Sequence, residues 1–176
     1  LAYSNAGDQL AAGIDKGTIY VWKLEDLEKG RITGNKQDLK PGLVGLAFSP
    51  SGDSLLTAIG QVVAFWSPRL TRKSPLHFID LQEPILSLAC SPEGTIACGF
   101  KNFTVKYWPY QDHKQFVELT GHRQEVISVQ FSRDGEYLIT GSADHSAKLW
   151  QVRSGALLRT FTGHPESVTG VAFANK

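Results

Sequence analysis

The chain has 176 residues, 41% of them hydrophobic and 10% aromatic, which is enough to bury a core and ordinary for a globular protein. Its 18 basic and 17 acidic residues give a net charge of +1, which argues against direct binding to nucleic acid or to an anionic membrane surface. No apolar run approaches the roughly 20 residues that a membrane-spanning helix needs.

The first 40 residues contain short strand signals separated by turns. Apolar runs at 9–12 and 18–22 alternate with turn signals at 7–8 and 15–17. A polar segment at 25–40 follows, and we expect a frayed fourth strand near 31–33 within it.

Two similar units follow, each built around one hairpin turn. Strand-like runs occur at 43–48, 54–57 and 61–66, and again at 85–90, 96–98 and 103–108, with Ser-Pro turns at 49–53 and 91–94. The third unit is one residue shorter between its turn and its second strand. Both units therefore predict antiparallel meanders.

The most regular unit is residues 121–164. It has strand-like runs at 126–131, 137–140, 147–150 and 157–161, and the turn Arg133-Asp134-Gly135 predicts a hairpin between the first two. Gly163-His164 repeats Gly121-His122, and residues 168–173 read as the first strand of a fifth unit.

A tryptophan at the end of the third strand recurs every 42 to 44 residues, at Trp22, Trp66, Trp108 and Trp150. This period, with the Gly-His pair and an Asp six residues before the Trp, is similar to the WD40-repeat family, whose repeats form four-stranded antiparallel blades of a β-propeller. The resemblance implies an all-β propeller fragment, with a β-sandwich as the alternative. We expect blades at about 1–40, 41–82, 83–121 and 122–163, and the start of a further blade at 164–176.

In this family a His, a Ser or Thr, an Asp and a Trp form a hydrogen-bonded tetrad that ties the loop to the hairpin. Carried over, these are His122, Thr140, Asp144 and Trp150, with Ser142 as a less favoured choice for the hydroxyl. If Ser142 faces Lys148 across the hairpin, Thr140 lies opposite Trp150 and on the same face as the indole.

The other three units depart from this pattern. Leu39 and Leu81 stand where the fourth unit has His122, and Lys16, Gly60 and Asn102 stand where it has Asp144, with Asn102 as a weak substitute. We therefore expect these units to depend on packing.

The cysteines and the lack of methionine bear on the cellular location of the protein and on whether the chain is part of a longer one. Cys90 and Cys98 lie in strand-like runs without metal-ligand spacing, so we expect reduced core thiols, no metal and no cofactor. Reduced thiols fit a cytoplasmic protein, or a nuclear one. The absence of Met predicts a piece cut from a longer chain.

The remaining polar clusters have ordinary explanations. His122 and Asp144 are assigned to the tetrad and the other His-Asp pairs fall in turns, so no catalytic residues are predicted. The basic residues Arg69, Arg72 and Lys73 read as a solvated outer loop, and Ser-Pro dipeptides at 49, 67, 74 and 91 are possible phosphorylation sites.

The resemblance implies a non-catalytic scaffold that binds a protein or peptide, within a larger regulatory or assembly protein. The alternatives are a sensor or autoinhibitory region of a nucleotide-dependent regulatory ATPase, a component of a ribonucleoprotein assembly and, least favoured, an enzyme on a propeller. We further expect the chain to self-associate unless further blades complete it.

The loop before the first strand and the turn between strands two and three lie at the same end of a meander. We expect the partner-binding face there, because family propellers commonly bind partners around the channel mouth. Its predicted residues are Asp15, Lys16, Lys40, Glu83, Lys101, Asn102, Arg123, Gln124, Glu125, His145 and Glu166. Four cations against four carboxylates favour a protein partner over nucleic acid.

Overall fold

A computed structural model describes residues 1–13, 17–28, 35–39, 42–70 and 74–174. Contacts divide the chain into two compact units, Leu1–Gln82 and Glu83–Lys176. Each unit contains two four-stranded sheets in which sequential strands pair antiparallel. The predicted all-β class with four-stranded antiparallel blades is confirmed.

The first unit opens with a meander in the order β1-β2-β3-β4. Its elements are β1 Ala2–Tyr3, β2 Gln9–Gly13, β3 Thr18–Lys23, a helix α1 Leu24–Glu28, and β4 Asn35–Asp38. The strand expected near 31–33 lies outside the described residues. The helix was not predicted, because the polar segment that contains it reads as a loop.

The second sheet of this unit has the order β5-β6-β7-β8, with β5 Leu43–Phe48, β6 Leu55–Ile59, β7 Val62–Trp66 and β8 His77–Asp80. One buried cluster joins the two sheets through Ala11, Ile19 and Val21 from the first and Phe48, Leu55 and Trp66 from the second, together with Leu70 from the segment after β7. Burial of these side chains is the main stabilising contribution within the unit.

The second unit repeats this arrangement. One sheet has the order β12-β11-β10-β9 and the other the order β13-β14-β15-β16. The strands are β9 Ile85–Cys90, β10 Thr95–Phe100, β11 Val105–Pro109, β12 Val117–Leu119, β13 Val126–Phe131, β14 Tyr137–Ser142, β15 Ala147–Gln151 and β16 Leu157–Phe161. Trp150, Leu138 and Phe131 pack with Ala97 and Tyr107 in a second cluster.

Two predicted strands differ in the structure. The run at 103–108 begins as a strand only at Val105, because Phe103 takes a φ of 74° within the preceding turn. Residues 168–173 form no ladder. Their Val171 and Phe173 N–H groups donate instead to the side chains of Ser128 and Gln130 in β13, so the backbone bonds that define a strand are missing.

Candidate functional site

Four side chains of the last sheet form one hydrogen-bonded chain. Trp150 Nε1 donates to Thr140 Oγ1 over 3.0 Å, and Thr140 Oγ1 lies 2.7 Å from His122 Nε2. His122 Nδ1 lies 2.8 Å from Asp144 Oδ2. The structure therefore brings together the four residues expected to form the tetrad. Ser142, the less favoured choice, donates instead to the backbone carbonyl of Gln124 over 3.1 Å.

The strand register that we expected for this hairpin is wrong. Thr140 pairs with Lys148 and Leu138 with Trp150, two residues away from the expected pairing. The turn is centred one residue earlier than the expected pairing implies, because the Ser142 N–H donates to the Ser146 carbonyl and His145 takes a φ of 65°. Thr140 and Trp150 remain diagonal neighbours on one face, and the long indole reaches the hydroxyl.

Asp144 is the acceptor that organises the turn. Its Oδ2 accepts the backbone N–H of Arg123 over 2.9 Å, and its Oδ1 accepts the Ser146 N–H and hydroxyl over 3.0 and 2.6 Å. Burial alone would raise the pKa of this carboxyl, but the donors from Ser146, Arg123 and His122 hold the pKa well below its usual range. Asp144 is therefore ionised at neutral pH.

His122 is the buried link in the tetrad, with its side chain only 1% exposed. Burial is the largest effect on it and lowers its pKa, although the nearby Asp144 carboxylate opposes that shift. A neutral imidazole donates its Nδ1–H to Asp144 and accepts the Thr140 hydroxyl proton at Nε2. The chain of donors then runs in one direction from Trp150 to His122, and His122 donates to Asp144.

The order of Asp144, His122 and Thr140 is the hydrogen-bond order of a hydrolytic triad. Thr140 is fully buried, however, and its oxygen already accepts the Trp150 N–H. A substrate carbonyl therefore has no access to this oxygen. The tetrad is arranged to fix a loop against a hairpin.

That loop is residues 121–125, which precede β13. Besides the Arg123 contact, the Ala143 N–H donates to the Glu125 carbonyl over 2.9 Å. The loop and the β14–β15 turn are thus joined at one end of the sheet. The side chains of Arg123, Gln124 and His145 are exposed there, and Glu125 is half-buried.

The neighbouring sheet has the same arrangement. The Lys101 N–H donates to the Pro84 carbonyl over 3.0 Å, which joins the β10–β11 turn to the loop before β9. Ser87 Oγ in β9 donates to the carbonyl of Val126 over 3.3 Å, so β9 and β13 begin at the same end of the unit. Lys101 and Asn102 are exposed and Glu83 is half-buried.

The exposed Glu166 belongs to the same end, because the Val168 N–H donates to the Ser142 carbonyl over 3.0 Å. Eight of the eleven residues predicted for the partner-binding face thus lie at one end of the second unit. We call this surface the rim, and its residues are Glu83, Lys101, Asn102, Arg123, Gln124, Glu125, His145 and Glu166. Asp15, Lys16 and Lys40 lie outside the described residues.

The second and third sheets keep parts of the tetrad, so the expectation that these two depend on packing alone is wrong. Trp66 Nε1 donates to Thr57 Oγ1 over 3.0 Å in the second sheet. Asn102 Oδ1 accepts the Thr104 N–H and hydroxyl over 3.3 and 2.8 Å, much as Asp144 accepts those of Ser146. In the third sheet Cys98 takes the place of the threonine, and the buried Trp108 Nε1 has no hydrogen-bond partner among the described residues.

The cysteines offer no reactive thiolate. Both are free, Cys98 is fully buried, and burial raises the pKa of Cys90 to about 12 and that of Cys98 further. Across the described part of the chain, His, Cys, Asp and Glu side chains nowhere gather in a group of three that could hold a metal ion. In the same residues no helix has the length and apolar character needed to cross a membrane.

The sequence of residues 113–151, which contains the tetrad, matches the model of the family described as WD domain, G-beta repeat. Residues 113–151 are therefore a WD40 repeat. The chain is 31% identical over 126 residues to the COMPASS component SWD3 of Saccharomyces cerevisiae, a match that covers 70% of this chain and 39% of that protein. It is 25% identical over 168 residues to Protein FIZZY-RELATED 3 of Arabidopsis thaliana, a match that covers 91% of this chain and 34% of that protein.

A third relative is Telomerase protein component 1 of Mus musculus, which is 28% identical over 191 residues and covers 98% of this chain but 7% of that protein. The chain therefore spans well under half the length of the curated relatives that it matches. The resemblance to WD40 repeats that was inferred from the tryptophan period is confirmed.

Proposed function

We propose that this WD40-repeat chain is a non-catalytic scaffold that binds a protein partner through the rim, as part of a larger assembly. The observation that carries the proposal is that hydrogen bonds to buried residues of the sheet hold the rim loops in place. Asp144 holds the Arg123 backbone, and the tetrad couples Asp144 to the buried Trp150. Loops held on a rigid scaffold present the same side chains to every partner, which lowers the ordering cost of binding.

The charges of the rim favour a protein surface. Lys101 and Arg123 are interspersed with Glu83, Glu125 and Glu166, so the rim has no one-sided positive field for a phosphate backbone. The names of two relatives, a COMPASS component and a telomerase component, describe members of assemblies. Two free thiols support a cytoplasmic or nuclear location.

The test compares two variants with the same net change in charge. The rim variant combines Lys101→Glu, Arg123→Glu and Glu125→Lys, and the control is Arg69→Glu at an exposed position outside the rim. Chain immobilised on beads is incubated with proteins from cells of the source organism, and retained proteins are quantified by mass spectrometry.

The proposal expects at least one protein that is retained by the wild type and by Arg69→Glu but lost from the rim variant, with unchanged melting temperatures. Equal retention by all three chains, or loss only with Arg69→Glu, would show that the rim is the wrong surface. Self-association stays a separate prediction, and sedimentation of the purified chain at micromolar concentration tests it. A single compact monomer would contradict it.

A further inference from the structure

Four Ser-Pro dipeptides occur in the sequence, and the structure places their hydroxyl groups in different environments. Ser49 and Ser91 lie in the hairpin turns after β5 and β9, and both are buried. Ser49 Oγ accepts the Ser54 N–H over 3.0 Å, and Ser91 Oγ accepts the Thr95 N–H over 2.9 Å. A protein kinase could reach these two hydroxyls only by opening the hairpins.

The remaining two dipeptides lie in the segment between β7 and β8. Ser67 is half-buried directly after β7, and its carbonyl accepts the N–H of the buried Leu70 over 2.8 Å. This tight turn holds Ser67 against the core. Ser74 is exposed. Two residues later, the Leu76 N–H donates to the Phe65 carbonyl over 2.7 Å and returns the chain to the sheet.

We propose that Ser74 is a phosphorylation site for a proline-directed serine kinase. A residue that precedes proline favours an extended backbone, which is the conformation of a peptide bound in a groove. Ser74 combines this preference with an accessible hydroxyl. In the reaction Ser74 Oγ attacks the γ-phosphorus of ATP, the new O–P bond replaces the bond to the β-phosphate oxygen, ADP leaves, and the hydroxyl proton passes to the base of the kinase.

A phosphate on Ser74 would change the charge of a surface groove while the core stays intact. The next residue, Pro75, helps to line a groove of about 760 Å³ with Trp66, Phe78 and Leu39 in the first unit. The phosphate adds a charge of about −1.5 to −2 at neutral pH. Because Ser74 is exposed and lies outside the strands, we expect the phosphorylated chain to keep the melting temperature of the unmodified chain.

The experiment treats the folded chain with a proline-directed kinase and Mg-ATP and maps the modified residues by peptide mass spectrometry. Four synthetic peptides, each carrying one of the dipeptides, measure what the kinase accepts without the fold. We expect phosphate on Ser74 of the folded chain, although the kinase also accepts the Ser49 and Ser91 peptides.

Ser74→Ala and Pro75→Ala should each abolish incorporation, and Ser67→Ala should not change it. The Pro75 variant keeps the serine, so it separates proline-directed modification from general exposure. Circular dichroism and melting temperature show whether each variant is folded. Incorporation at Ser49, Ser67 or Ser91 of the folded chain in preference to Ser74, or no incorporation while the Ser74 peptide is modified, would overturn the proposal.

Discussion

The unpartnered indole of Trp108 leads to a stability prediction that can be worked from the structure. Thr57 and Thr140 each accept a tryptophan N–H over 3.0 Å, and Cys98 occupies the same ladder position in the third sheet. Trp108 is 1% exposed, so its N–H cannot donate to bulk water instead. A buried donor without a partner costs about 1 to 3 kcal/mol.

Cys98→Thr should supply the missing acceptor. The substitution also adds a branch to a fully buried site, where an extra methyl group can cost about 1 to 3 kcal/mol through overpacking. Cys98→Val has the same shape as the threonine variant without the oxygen, so the difference between the two isolates the hydrogen bond. We expect the threonine variant to be more stable than the valine variant by about 1 kcal/mol, or roughly 2 to 4 °C in melting temperature.

Urea unfolding followed by tryptophan fluorescence measures both variants, with equal m-values as the check that each unfolds in the same way. Repeating the pair in a Trp108→Phe background removes the donor and should remove the difference. The reasoning fails if threonine is no more stable than valine, or if the advantage of threonine persists without the indole N–H.

Three further predictions concern the tetrad and the close packing of strands. His122→Ala and Asp144→Ala should each destabilise by about 1 to 3 kcal/mol and be non-additive in a double-mutant cycle, whereas additive effects in urea unfolding would show that the two residues act independently. Folding lowers the pKa values of both His122 and Asp144, so the unfolded chain binds more protons than the folded chain. The free energy of unfolding should therefore fall as the pH drops below about 6.5. A His122→Asn variant whose unfolding free energy depends on pH as steeply as that of the wild type would contradict this. Gly99→Ala should lower the melting temperature, because the added Cβ would lie 2.6 Å from the Val126 carbonyl oxygen, while Gly170→Ala, with no atom within 4 Å, should not; equal effects would refute the packing argument.

The repeat architecture could be predicted because its signals are local. Trp22, Trp66, Trp108 and Trp150 mark the ends of equivalent strands, and turn residues mark the hairpins between them. The tetrad residues in the fourth sheet could be named because the resemblance to WD40 repeats implies a tetrad, whose His, Asp and Trp positions match His122, Asp144 and Trp150.

Register and hydrogen-bond partners could not be predicted in the same way. The turn after β14 is closed by the Ser142–Ser146 backbone bond with His145 at positive φ, and sequence alone does not distinguish this turn from one centred a residue later. It is similarly hard to predict from the sequence how much of the tetrad a divergent repeat keeps. Counting departures from the tetrad suggested that three sheets had lost it, yet Thr57 and Trp66 keep half of the network because that pair needs neither the His nor the Asp.

A signal that the sequence did contain is a small residue at one ladder position of every sheet. Gly13, Ala58, Gly99 and Gly141 are equivalent residues of the second strand. A Cβ on Gly99 would clash with Val126, the first residue of β13, and one on Gly13 would clash with Leu43, the first residue of β5. These glycines do not have positive φ. At Gly99 and Gly141 it is therefore the nearby backbone carbonyl oxygens, and not the backbone conformation, that require glycine.

Gly141 extends the same relation to a segment without ladder pairing. A Cβ there would lie 2.7 Å from the carbonyl oxygen of Val168, as one on Gly99 would lie 2.6 Å from that of Val126. Val168 is buried although the segment around it pairs with no strand. Residues near 168 thus pack against the last sheet as β13 packs against the third. This supports the interpretation that these residues begin another repeat. A first strand can pack closely on the preceding sheet wherever that sheet has a small residue such as Gly141. A ladder, in contrast, forms only when a partner strand is present.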